Sequence, residues 1–209
     1  IDVISFTGSS HVGKLIAEST SPSLKRLSLE LGGKAPALVF PDCELNSTIT
    51  GIIAGGTVLA GQQCTAITRI LVHDAIYDAF RARFADALRN VKVGPGNEPS
   101  SQMGCLIDIA NRDRIAALLE KADKEARVVV KGRVPRGELA KGAFIEPSLI
   151  EVDNLDSPFI QDELFGPLLV LERFHNEDEA IHRANATRYS LASSVWTQNL
   201  FLARRVASK

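Results

Sequence analysis

The chain has 209 residues, 45% of them hydrophobic and 23% charged, which is enough apolar material to bury a real core. A formal net charge of −1, with no basic cluster longer than the Lys25-Arg26 pair, offers no strong field to nucleic acid or acidic lipid. No apolar run reaches the roughly 18 residues of a membrane-spanning helix and no charged-then-apolar leader opens the chain, so a soluble, cytoplasmic protein is expected.

In chain order, Ile1 to Phe6 reads as a buried strand that runs through a glycine-bearing turn into a helix. Further strands are expected at Pro36 to Phe40, Ile67 to Val72, Val128 to Val130, Leu168 to Leu171 and Leu191 to Trp196, most of them too continuously apolar to have a wet face. Helices are expected over Asn46 to Ala60, Ala75 to Asn90 with Asp74 as N-cap, Ile109 to Ala122, Glu177 to Ala186 and Leu200 to Ala207. Val93 to Met103, rich in Gly, Pro and Ser, reads as a surface loop within one domain. Strands alternating with helices in this way predict an α/β fold, a mainly parallel sheet with helices on both faces.

Three segments carry chemistry, and each also has a plain structural reading. In Phe6-Thr7-Gly8-Ser9-Ser10-His11-Val12-Gly13, glycines without Cβ let a backbone approach a phosphate and a helix start favours an anion. A strand-turn-helix with two glycines is more often a simple connection, and this one is not the G-x-G-x-x-G fingerprint. In Leu29-Glu30-Leu31-Gly32-Gly33-Lys34 the leucines place a carboxylate near a core, where desolvation raises its pKa toward that of a general base. Taken alone, Glu30 is better read as an exposed turn glutamate that merely interrupts a strand. In Gly61-Gln62-Gln63-Cys64-Thr65 a thiol sits on a helix-to-strand loop, which can supply access, a backbone oxyanion donor and an environment favouring thiolate. A lone cysteine, however, is most often a small buried hydrophobe.

The three segments, in this order, resemble the aldehyde dehydrogenase superfamily, and a fourth agrees, since the family's Glu-x-Phe-Gly-Pro appears as Glu163-Leu164-Phe165-Gly166-Pro167. Tyr189-Ser190-Leu191-Ala192 is similar to a weaker later signature of the same family. The resemblance runs over essentially the whole chain. It implies a catalytic-domain fold of the aldehyde dehydrogenase type, Cys64 as nucleophile and Glu30 as general base. It further implies an NAD or NADP site to which Gly8, Ser9, Gly13, Leu31, Glu163 and Phe165 contribute, and a small-molecule aldehyde as substrate. No metal is implied. With a glutamate at position 30, hydrolysis to a free carboxylic acid is expected rather than transfer to coenzyme A.

On that resemblance residues 1–31 are expected to be a remnant of the dinucleotide-binding domain and residues 32–209 the thiol-bearing catalytic domain. The family's oxyanion-stabilising asparagine and adenosine-ribose lysine would precede Ile1, and its oligomerisation tail would follow Lys209. The full-length parent is expected to be a homodimer or homotetramer. The isolated 209 residues are expected to be an inactive dehydrogenase fragment, retaining at most thiol esterase activity. Ser190 replaces the family's usual glycine and Cys105 stands where proline is common. Cys43, Cys105 and the four histidines, which lack metal-ligand spacing, are assigned no role.

Overall fold

Strands β3 (Ala35–Val39), β4 (Ile67–His73) and β7 (Leu168–Phe174) are buried along nearly their whole length in a computed structural model that describes all 209 residues. They form the middle of a six-stranded sheet ordered β5-β6-β7-β4-β3-β8, completed by β5 (Arg127–Val130), β6 (Ser148–Glu151) and β8 (Ser194–Trp196). Every pairing is parallel except β5 with β6.

Side-chain alternation decides which helix covers which face. Ala37, Val39, Ile70, Val72, Leu169 and Leu171 pack against Ile49 and Ile52 of α2 (Leu45–Thr57) and Phe80, Phe84 and Leu88 of α3 (Tyr77–Arg89). The opposite face is covered by four helices. Leu168 and Val170 meet Ile115 and Leu119 of α4 (Ile109–Glu125) and Phe159 of the short α5 (Pro158–Gln161). Leu38, Leu71 and Phe174 meet Ala180 of α6 (Glu177–Ala184) and Val206 of α7 (Leu200–Ala207). No helix is long and apolar enough to cross a membrane.

β1 (Val3–Thr7) and β2 (Arg26–Glu30) pair in parallel as a separate two-stranded sheet, joined by α1 (Ser10–Thr20). Both strands alternate between exposed and half-buried residues, so the buried strand expected at Ile1 to Phe6 is an exposed one. In β2 only Leu27 and Leu29 are half-buried, and Glu30 is exposed rather than set near a core.

Local chemistry moves several boundaries. The helix expected over Asn46–Ala60 stops at Thr57, because Leu59 and Ala60 adopt left-handed backbone. The side-chain cap expected from Asp74 comes instead from His73, whose Nδ1 accepts the Ala75 N–H at 3.1 Å at the head of a 3₁₀ turn, Asp74–Ile76, that leads into α3, while Asp74 pairs with Arg173 at 2.5 Å. The strand expected from Leu191 begins only at Ser194. The Val93–Met103 loop is closed at its base by a bridge between those two residues, and Met103 is buried.

The connections place the site. Lys34 precedes β3, Cys64 precedes β4, Glu163 to Gly166 precede β7 and Leu191 precedes β8, all at the amino edge of the large sheet. Thr7 and Glu30 end β1 and β2 at the carboxyl edge of the small one. Open α/β sheets generally bind ligands outside the carboxyl ends of their strands. Here the carboxyl edge of the small sheet leads directly into the amino edge of the large one.

Candidate active site

The turn after β1 and the end of β2 form one unit. The Gly8 N–H donates to the Glu30 carbonyl at 3.0 Å, and Ser9 caps α1 by accepting the Val12 N–H at 3.3 Å. Gly13 is buried against Leu31, whose Cδ2 would stand 2.6 Å from a Cβ there. Five of the residues predicted for the site, Gly8, Ser9, Gly13, Glu30 and Leu31, are therefore coupled through backbone and packing. The glycine at position 13 serves helix-to-strand packing.

The paired glycines that follow meet the other two segments. The Gly33 N–H donates to Glu163 Oε1 at 3.0 Å, a bond between residues 130 positions apart. A Cβ on Gly32 would overlap the Glu163 carboxylate, and one on Gly33 would overlap the Cys64 carbonyl oxygen. At Gly33 the obstacle is backbone, so only glycine fits without displacing the chain, whereas at Gly32 the Glu163 side chain would have to give way.

Cys64 is half-buried, with a free thiol, on a loop whose backbone is strained. Leu59, Ala60 and Gly61 are consecutively left-handed, with φ of 49°, 55° and 71°. Left-handed backbone costs an L-residue about 1–2 kcal/mol, so two such non-glycine residues in a row need firm support. Support comes from the burial of Ala60 and from the Gln62 amide, which donates to the Leu59 carbonyl at 2.9 Å. Gln62 Oε1 also accepts the Ile107 N–H at 2.9 Å and the Asn111 side chain at 3.2 Å. Past this brace the backbone N–H groups of Gln63, Cys64 and Thr65 donate to no protein acceptor.

The Glu163–Pro167 segment lies alongside. A Cβ on Gly61 would stand 2.5 Å from the Gly166 carbonyl oxygen, and one on Gly166 would overlap Ile115. Phe165 has φ of 48°, uncommon for a bulky residue, and its ring is held outward and 39% exposed. Arg114 fixes this bend, donating to the Leu164 carbonyl at 2.7 Å and the Phe165 carbonyl at 3.3 Å.

Beneath the Gly32–Gly33 turn lies a group that sequence reasoning missed. Lys34 is 2% exposed and its Nζ has no hydrogen-bond partner. Burial, reinforced by the nearby Arg69 guanidinium, lowers its ammonium to about 7. Arg69 is itself fully buried and bidentate on Glu172, at 2.7 and 2.9 Å, and donates to the Arg183 carbonyl at 2.8 Å. Both residues carried a signal in the sequence. Lys34 opens the apolar run Ala35 to Phe40, and Arg69 interrupts a strand with no wet face, so each had to be buried.

The structure thus joins Gly8, Glu30, Gly33, Cys64 and Glu163 in one chain of contacts. Glu30 reaches Cys64 through the Gly32–Gly33 turn rather than through a side-chain bond.

Fold and site together define an α/β protein that presents a half-exposed thiol on a braced loop, next to a glycine-rich turn that also binds the Glu163 carboxylate. Residues 1–209 match the model of the aldehyde dehydrogenase family, and the chain belongs to that family. It is 37% identical over 211 residues to a betaine aldehyde dehydrogenase of Bacillus subtilis, covering 100% of this chain and 43% of that relative. It is 35% identical to a 2-hydroxymuconic semialdehyde dehydrogenase of Pseudomonas putida, covering 100% of this chain and 44% of that one. A betaine aldehyde dehydrogenase from Staphylococcus aureus in complex with NAD+ superposes with a TM-score of 0.94 at 34% identity, over 100% of this chain and 42% of that one. The chain spans less than half the length of these relatives.

Proposed function

We propose that the protein oxidises an aldehyde to a carboxylic acid with NAD or NADP, using Cys64 as nucleophile and Glu30 as general base. The observation that carries this reading is Gly33, which touches the Cys64 carbonyl oxygen, donates to Glu163 and stands three positions after Glu30. One turn thereby links the backbone of Glu30 and Cys64 to the Glu163 carboxylate, which supports a common site for all three.

The residues suit a nicotinamide dinucleotide by their donor chemistry. Glu163 is half-buried and pinned through Oε1, leaving Oε2 as an acceptor for ribose hydroxyls, and Phe165 offers an exposed ring. The turn at Gly8 and Ser9 with the start of α1 suits the diphosphate. NAD is bound by the similar Staphylococcus enzyme, which supports the same class of cofactor here. When bound, the oxidised nicotinamide supplies the hydride acceptor.

On this reading the Cys64 thiolate adds to the carbonyl carbon, forming a C–S bond and a thiohemiacetal oxyanion. The unengaged N–H groups at Cys64 and its neighbours are suited to stabilise that oxyanion. After oxidation Cys64 carries a thioester. Glu30, exposed beside the turn, takes a proton from water, the resulting hydroxide adds to the acyl carbon, and the thiolate leaves with the electron pair of the C–S bond. We assign residues 1–31 to the dinucleotide-binding unit and residues 32–209 to the thiol-bearing unit, a division supported by the separate sheets on either side of Leu31.

The two roles separate kinetically. In the full-length polypeptide Cys64→Ala abolishes aldehyde-dependent NADH formation. Glu30→Gln leaves a first-turnover burst of NADH but slows the steady state by roughly 10²–10⁴-fold, the usual weight of a general base. Equal loss of burst and steady state in Glu30→Gln would remove Glu30 from deacylation.

A further inference from the structure

A buried amine without a partner, directly under the turn that organises the site, calls for a function. Lys34 follows Gly33 in the chain, so its backbone is continuous with the residue that touches both Cys64 and Glu163. The charged groups around its side chain come from three elements. These are Arg69 on β4, Glu172 on β7, and Asp162 and Glu163 on the segment between α5 and β7. They are not equally available. Glu172 is committed to Arg69 through two bonds, and both residues are fully enclosed. Asp162 is more than half exposed and accepts one bond from Arg188 at 3.2 Å. Glu163 is held only by the Gly33 N–H.

We propose that Lys34 is a positioning residue for the cofactor side of the site, acting through the segment Asp162–Phe165 according to whether its amine carries a proton. With a neutral amine, no charge sits under the turn, and Glu163 stays on the Gly33 N–H as observed. A protonated amine places an uncompensated charge in a dry site, which is costly unless a carboxylate comes to it. The two carboxylates not committed to Arg69, Asp162 and Glu163, lie on the segment that also carries Phe165. Drawing that segment inward displaces both residues assigned to the cofactor. Burial and Arg69 place the change of state in the neutral range, at about 7. The proposal rests on the reading that Glu163 contacts the cofactor.

The test is the equilibrium dissociation constant of NAD+ for the full-length polypeptide, measured by calorimetry from about pH 6 to pH 8.5, across the expected titration. For the wild type the constant should rise as pH falls below about 7, by at most about tenfold per pH unit for one linked proton. Lys34→Met should give a flat profile at the tight, alkaline value. Lys34→Arg, always charged, should bind weakly even at the alkaline end. A Lys34→Met protein that keeps the wild-type profile, a flat wild-type profile, or a Lys34→Arg protein that binds normally at alkaline pH would overturn the proposal. Should either variant fail to fold, NMR of isotope-labelled wild-type lysine decides: a Lys34 midpoint near 7 supports it and one above about 9 defeats it. Glu163→Gln separates the two levels. If it leaves the NAD+ constant unchanged, the role of Glu163 is wrong. If it weakens binding while Lys34→Met keeps the wild-type profile, only Lys34 is wrong.

Discussion

The α-carbon of Gly33 lies so close to the carbonyl oxygen of Cys64 that no Cβ can be placed between them. The contact ties the turn after Glu30 to the peptide that carries Cys64. Gly33→Ala must therefore push the Cys64 loop away or break the 3.0 Å bond to Glu163. A displacement of about 1 Å at a reacting group costs on the order of 10²-fold in rate. Steady-state kinetics should show that loss in kcat, with circular dichroism unchanged. Full activity in Gly33→Ala would mean that the turn does not position Cys64.

Gly61→Ala tests the brace behind Cys64. Gly61 has φ of 71° and would bring a Cβ to 2.5 Å from the Gly166 carbonyl oxygen. Strain and overlap together should lower stability by about 2–4 kcal/mol in denaturant unfolding, with thiol reactivity of Cys64 raised as the loop loosens. An unchanged midpoint would show that the loop adapts without cost.

Lys34 makes a prediction about stability that is independent of cofactor. Its ammonium titrates near 10.5 when unfolded and at about 7 when folded. Between those values the unfolded chain holds the extra proton, so the penalty is absent above 10.5, grows as pH falls and is complete below about 7. Lys34→Met should stabilise the fold by roughly 1–4 kcal/mol at neutral pH, and the gain should shrink toward alkaline pH. A loss of stability at neutral pH would mean that the amine is satisfied in the folded protein.

The Arg69–Glu172 pair should behave oppositely. Both side chains are fully enclosed, so removing Arg69 leaves Glu172 with only the looser Arg183 guanidinium at 3.9 Å. Arg69→Met should cost about 3–5 kcal/mol, and the double substitution Arg69→Met with Glu172→Leu should recover most of it. Unfolding of the single and double variants checks both.

Fold and site were legible to different depths in the sequence. β3, β4 and β7 announce themselves by unbroken apolar runs, and the sheet they centre is the expected parallel one. β2 was overlooked although Arg26, Ser28 and Glu30 alternate with Leu27 and Leu29, because five residues with a wet face give a weak signal beside a strong motif. Cys64 and Glu30 were singled out by the company they keep, and neither carries a local mark of the role proposed for it. The left-handed Leu59 and Ala60 were beyond reach, since nothing in Val58-Leu59-Ala60 warns of positive φ and only tertiary support from Gln62 and Gly166 explains it. Arg69 could have been found by asking what a cation does inside an apolar strand, and Lys34 by asking the same of a cation at the foot of one.

The claim at the centre of this account is a covalent bond at Cys64. It is tested most directly by mass spectrometry of the full-length Glu30→Gln polypeptide, acid-quenched during turnover with an aldehyde and NAD+ and digested. Blocked deacylation should leave the acyl group, with the mass of the aldehyde less one hydrogen, on the peptide containing Cys64. An acyl group found on Cys43 or Cys105 instead, or on no cysteine while NADH is formed, would contradict it.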